Sequence, residues 1–197
     1  GPIVKNNWNS TIKVENNIIT GASRFYSGNF KKNNSWVGVA AITLLFANNI
    51  IVRCNTISNY RFGIWVYGGA SLDRERKKVL LSSHLCENIY ISENRIFETY
   101  SPIWFSKAGN IQVSYNYCKN NQDVAIDFEG SYNASVDNNI VINSRGGALT
   151  ALNGSKDIFF SKNKVEMKNF NKNNNIVLIR NSNQNIKYSN NEFIFHD

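Results

Sequence analysis

The chain has 197 residues, with 22 Lys+Arg against 14 Asp+Glu and a net charge of +8 at pH 7. That length allows one sizeable core and is short for two domains, and no apolar run reaches the ~20 residues of a membrane span, so no membrane partner is expected. Asn is the anomaly: there are 34, a level usually met in low-complexity tracts, yet they are mixed throughout with a 42% apolar fraction, which argues against disorder.

The opening Gly1-Pro2 matches the scar left when a tag is removed by protease. No charged stretch followed by an apolar run marks a signal peptide. The sequence is therefore expected to be a single domain over 1–197 and a piece of a longer chain.

From Ile12 onward one pattern recurs: apolar, any, apolar, any, any, Asn, any, apolar. It reads Ile12, Val14, Asn17, Ile19, then Ile50, Val52, Asn55, Ile57, then Ile89, Ile91, Asn94, Ile96. It continues as Ile111, Val113, Asn116, Cys118, as Ala134, Val136, Asn139, Val141, and as Ile158, Phe160, Asn163, Val165. The last copy is Ile186, Tyr188, Asn191, Phe193. The Asn spacings are 38, 39, 22, 23, 24 and 28, so 22–24 residues make one coil and the two long steps are a coil plus an insertion.

Period-2 alternation is a strand with one buried face. The Asn then falls at a bend, where this residue type tolerates the left-handed conformation and bonds nearby backbone. Stacked coils put these Asn in one column, each able to bond the next. A further alternating strand precedes each motif, with inward pairs Ile42/Leu44, Ile64/Val66, Ile103/Phe105, Ile126/Phe128, Leu149/Ala151 and Val177/Ile179. No amphipathic helix of useful length is visible. The pattern predicts an all-β parallel solenoid of about seven coils. Two basic insertions, 21–36 and 68–86, leave the coil and return, and they read either as walls of a groove or as packing against a neighbouring subunit.

On this ladder and coil length, about residues 12–195 resemble the right-handed parallel β-helix of the pectate-lyase-like type found in polysaccharide lyases, polygalacturonases and phage tailspikes. The Ala125-Ile126-Asp127-Phe128-Glu129-Gly130 segment also resembles sequences in phage-borne β-helices. The resemblance implies an extracellular or virion-associated protein, a homotrimer, and a polysaccharide partner.

The outward residues of the strands before each Asn motif are Thr43/Leu45, Trp65/Tyr67, Trp104/Ser106, Asp127/Glu129, Thr150/Leu152 and Leu178/Arg180. Coils stack at roughly 4.8 Å, so Trp65, Tyr67, Trp104, Asp127 and Glu129 are expected to share one exposed strip, with Lys107 and Arg145 beside it. Exposed Trp and Tyr need a reason. Flat rings suit the apolar faces of sugars, and carboxylates and Arg bond hydroxyls or charged substituents.

Asp127 and Glu129 at i, i+2 point to the same side, with the spacing of either type of two-carboxylate glycosidase. Mutual repulsion and aromatic neighbours would raise one pKa and make that group a general acid, the other serving as base or nucleophile. Carboxylates that are merely solvated, carboxylates that only bind, and Trp side chains covered by an insertion or a subunit all remain open readings. In lyases of the resembled fold an Arg or Lys serves as base, which keeps Lys107, Arg145 and Arg180 as candidates. Their calcium-binding carboxylate cluster is not visible.

No metal or cofactor is expected: His84 and His196 lack partners at metal spacing. Three Cys do not make a disulfide framework. Cys86 and Cys118 read as small buried hydrophobes, and a Cys54–Cys86 bridge stays open. The positive charge suits an acidic polysaccharide. No nucleic-acid motif is present, so nucleic acid is not an expected partner. The functional expectation is a carbohydrate-active β-helix that cleaves a polysaccharide, by hydrolysis before β-elimination. The alternative is a non-catalytic glycan- or receptor-binding module.

Overall fold

The computed structural model describes residues 11–21, 40–73, 78–79, 86–168, 176–179 and 182–196. They form strands, turns and bends, with no helix among them. Strands are numbered in chain order and build three parallel sheets.

The first sheet is β1 (Ile12–Glu15), β4 (Ile50–Arg53), β9 (Cys86–Ser92), β12 (Ala108–Ser114), β15 (Tyr132–Asp137), β18 (Lys156–Ser161) and β21 (Gln184–Ser189). The second is β2 (Ile18–Thr20), β5 (Thr56–Ser58), β10 (Arg95–Phe97), β13 (Tyr117–Asn121), β16 (Ile140–Ser144), β19 (Lys164–Lys168) and β22 (Glu192–His196). The third is β3 (Ala40–Leu45), β6 (Phe62–Tyr67), β11 (Ser101–Ser106), β14 (Val124–Glu129), β17 (Gly147–Leu152) and β20 (Val177–Ile179). The chain visits the sheets in rotation, so each coil has three strands and the whole is a parallel β-solenoid. It has about six turns, one fewer than the sequence count, because the seven Asn corners bound six complete circuits.

All seven Asn lie in one column. The side-chain amide of Asn94 donates to Asn116 Oδ1 at 2.9 Å, and Asn116 repeats this to Asn139 at 3.0 Å and Asn139 to Asn163 at 2.9 Å. The same oxygens accept the backbone N–H of the preceding Asn, at 3.0, 2.9 and 3.0 Å. One detail of the expectation is corrected. The left-handed residue is not the ladder Asn but the residue before it: Asn16, Cys54, Glu93, Tyr115, Asn138, Lys162 and Asn190 all have φ between 54° and 59°. That residue turns the corner and leaves the next side chain directed inward, where its amide replaces bonds that the bend removes from the sheet.

The apolar pairs fill the interior. Ile50, Val52, Ile64, Val66, Ile89, Ile91, Ile103, Phe105, Ile126, Phe128 and Phe160 are buried. The rings of Phe105 and Phe128 stack at 4.7 Å, as do those of Phe160 and Tyr188. At the last coil Ile179 and Phe193 are exposed. All three Cys are free thiols: Cys86 and Cys118 are buried as expected, Cys54 is exposed, and the Cys54–Cys86 bridge is not formed. Cys86 Sγ instead accepts the backbone N–H of Ala47 at 3.3 Å.

Candidate functional site

The third sheet holds the outward strip in the expected register. Trp104 pairs with Trp65 on one side and Asp127 on the other; Ser106 pairs with Tyr67 and Glu129; Asp127 pairs with Thr150. Parallel strands without slippage put Trp65, Trp104, Asp127 and Thr150 in one column and Tyr67, Ser106, Glu129 and Leu152 in the next.

The start of these strands shapes the site. Ala125 and Ile126, and likewise Ala148 and Leu149, are consecutive residues of the core. Two inward residues in a row form a corner filled by compact residues, Gly63, Pro102, Ala125 and Ala148 in successive coils. A Cβ on Gly63, at the same position, would come within 2.8 Å of Ile96 Cγ2. The residue before the corner is thereby turned out. Phe62 packs its ring 5.6 Å from Trp65 and 5.1 Å from Trp104. Sequence reading passed over Phe62; the small residue after it, repeated in four coils, was the available signal.

The strip is shared but not open, which corrects the expectation of an exposed face. Trp65 is 7% exposed and Asp127 9%. The two indoles lie parallel, 2° apart, with centroids at 5.5 Å, so each occupies one ring face of the other. Tyr67 adds a tilted contact to Trp65 at 5.3 Å. Rings on adjacent coils reach stacking distance without strain, and packing together removes apolar area from water. Both indole N–H groups are nonetheless buried without an acceptor among the described residues.

Asp127 is the unusual titrating group. Burial pushes its carboxyl up to about 8, with the charge of Glu129 adding to the rise; the Thr150 hydroxyl, which donates to Oδ1, pulls the other way. A carboxyl raised in this way holds its proton well above the usual carboxylate range and is suited to donate it. Thr150 is fully buried, and its hydroxyl orients the Asp127 carboxyl. Its place in the outward column next to Asp127 was legible; its hydrogen bond was not.

A short arm covers the Glu129 column. Ser106 Oγ donates to Gly69 O at 2.7 Å, Ser71 Oγ to Glu129 Oε2 at 3.0 Å, and Asn153 Nδ2 to Ser71 Oγ at 3.5 Å. The arm continues into an antiparallel hairpin, β7 (Leu72–Asp73) with β8 (Lys78–Val79). This is the root of the second basic insertion, and its described part runs across three coils. The first insertion, residue 21 aside, lies outside the described residues.

The basic candidates fare differently. Lys107 holds the left-handed turn after β11 (φ 51°), donates its backbone N–H to Glu129 O at 2.9 Å, and is buried, which lowers its ammonium pKa. Arg145 is exposed, with its guanidinium 3.5 Å from Gln122 Oε1. Arg180 and His84 lie outside the described residues. At the strand entrance a group that sequence reading did not assemble comes together. Arg61 sits 5.4 Å from the Phe62 ring and 5.6 Å from the Tyr100 ring. Burial raises the carboxyl of the adjacent Asp123, which a Tyr100 hydrogen bond and the Arg61 charge partly offset. Among the described residues no three His, Cys, Asp or Glu side chains converge as a metal site.

The arrangement offers a buried proton donor, a neighbouring carboxylate and unsatisfied indole donors on one rigid sheet. Comparison with protein-family models gave no match, and no curated protein matches the chain.

Proposed function

We propose that the protein binds and cleaves a polysaccharide on the outward strip of the third sheet, as a β-helix of the tailspike or depolymerase type. The observation that carries this reading is the buried Asp127 carboxyl two residues from Glu129 and one coil from Trp104, held by burial above the usual carboxylate range. In hydrolysis, Asp127 would give its proton to the leaving glycosidic oxygen while Glu129 takes a proton from the attacking water or attacks the anomeric carbon itself. Uncovered, the indole N–H groups would be donors for substrate oxygens. The net charge of +8 favours an acidic polymer.

A panel of bacterial and plant polysaccharides, read for both retention and new reducing ends, tests it. Cleavage that falls at least 100-fold in Asp127→Asn and Glu129→Gln is the expected result. Cleavage at the wild-type rate in both variants rules the assignment out.

The enclosure of the strip favours a second reading, a non-catalytic glycan-binding module. Trp65 and Asp127 are too covered in this state to meet a polymer directly. That reading expects retention without reducing ends from any polymer.

A further inference from the structure

Glu129 is the more accessible carboxylate of the strip, yet the protein's own arm already bonds it. Gly68 is the last residue of its coil to follow the sheet, its N–H donating to Ser106 O at 2.7 Å. Gly69 then takes φ +125°, a conformation that side-chain-bearing residues avoid, and the chain turns across the strands. Two residues later Ser71, 2% exposed, puts its hydroxyl on Glu129 Oε2 at 3.0 Å.

The seat beneath Ser71 fits it closely. Gly130 lies under it with φ +57°, and a Cβ there would come within 2.9 Å of Ser71 Cβ. Asn153, one coil further on, donates its amide to Ser71 Oγ. Among the described residues, none from Gly68 to Asp73 belongs to the core cluster, and Ala70 is exposed. A segment tied by polar contacts to a rigid sheet, with a glycine at its root, opens before the sheet does.

We propose that Gly68–Ser71 is a latch whose Ser71 hydroxyl occupies the place of a substrate hydroxyl on Glu129, and that it lifts about Gly69 when a glycan binds. The inference rests on the polysaccharide reading for the identity of the displacing group, but not for the motion. An aliphatic hydroxyl accepted by a carboxylate is the contact a sugar hydroxyl would make. The exchange therefore replaces one hydrogen bond with a like one.

The test is labelling of the Glu129 carboxyl by a water-soluble carbodiimide and glycine ethyl ester, located by peptide mass spectrometry. Wild type is compared with Ser71→Ala, and with Ser71→Cys/Asn153→Cys in a Cys54→Ser background, oxidised and reduced. Expected are labelling at least threefold faster in Ser71→Ala, and labelling in the disulfide form at least threefold slower than in its reduced form. Equal rates in wild type and Ser71→Ala overturn the latch. Circular dichroism melts identify any variant that has lost its fold, and the same protein reduced and oxidised supplies the control in that case. Faster labelling in Ser71→Ala together with no retention of any polysaccharide keeps the latch and overturns the glycan reading instead.

Discussion

Trp65 and Trp104 stack as parallel rings on adjacent coils, and each keeps its indole N–H buried with no acceptor among the described residues. An unsatisfied buried donor costs about 1–3 kcal/mol. Replacing Trp65 by Phe removes the donor and keeps much of the apolar contact. We expect Trp65→Phe to change unfolding free energy by less than about 1.5 kcal/mol, the loss of ring area being offset by the loss of the orphan group. Polysaccharide retention should fall about tenfold, the effect of one lost hydrogen bond in an enclosed site. Urea denaturation and retention on the same protein separate the two effects. A drop in stability with unchanged retention would make the pair purely structural.

Asp127 links the site to pH. Its folded pKa of about 8 lies above the ordinary 3.8, so the folded state holds a proton that the unfolded chain has released. Its contribution to stability is fully present below about pH 4 and is lost progressively as pH rises to about 8. The wild type should therefore lose stability relative to Asp127→Asn across that window, with a limiting slope of about 1.4 kcal/mol per pH unit. Cleavage should fall on the alkaline side near pH 8, where the acid form is titrated away. Melting curves of both proteins from pH 4 to pH 9 check the first, and a pH–rate profile checks the second.

The Asn column should be the most sensitive polar element. Asn116 Oδ1 accepts from both the backbone and the side chain of Asn94, and its own amide donates to Ile91 O at 2.9 Å and Asn139 Oδ1 at 3.0 Å. Asn116→Ala leaves several of these groups buried without partners, so we expect a loss of about 2–4 kcal/mol. Among the described residues Asn17 bonds the column on one side alone, to Asn55, so Asn17→Ala should cost less than half as much. Equal costs at the two positions would show that the ladder is not what holds the coils together.

The ladder and the inward pairs were legible because each repeats a local rule. Period-2 apolar spacing and one Asn per corner are properties of a single coil, and stacking copies them. The register of Trp65, Trp104, Asp127 and Thr150 followed from the same spacing. What the sequence did not disclose depends on chain that leaves the repeat. Nothing in Gly68–Ser71 announces that it returns to Glu129. The corner residues misled differently. Lys162 and Glu93 are not typical left-handed residues, so residue type alone points to the Asn beside them as the left-handed position.

A last expectation concerns a brace on the first sheet. Glu87, Gly109 and Tyr132 are register partners on three successive coils. The Tyr132 ring lies over Gly109, and its hydroxyl bonds Glu87 Oε1. A Cβ at residue 109 would fall 2.0 Å from Tyr132 Cε1 and 2.3 Å from Cζ, so the ring must leave and the bond to Glu87 is lost with it. Gly109→Ala should cost about 1–3 kcal/mol. In a Tyr132→Ser background the same substitution meets no ring and should cost less than about 0.5 kcal/mol, a coupling that a double-mutant cycle reads directly from urea midpoints. Additive costs would mean that the ring does not rest on Gly109. The cycle leaves the site sheet untouched, so carbodiimide labelling of Glu129 should be unchanged in all four proteins.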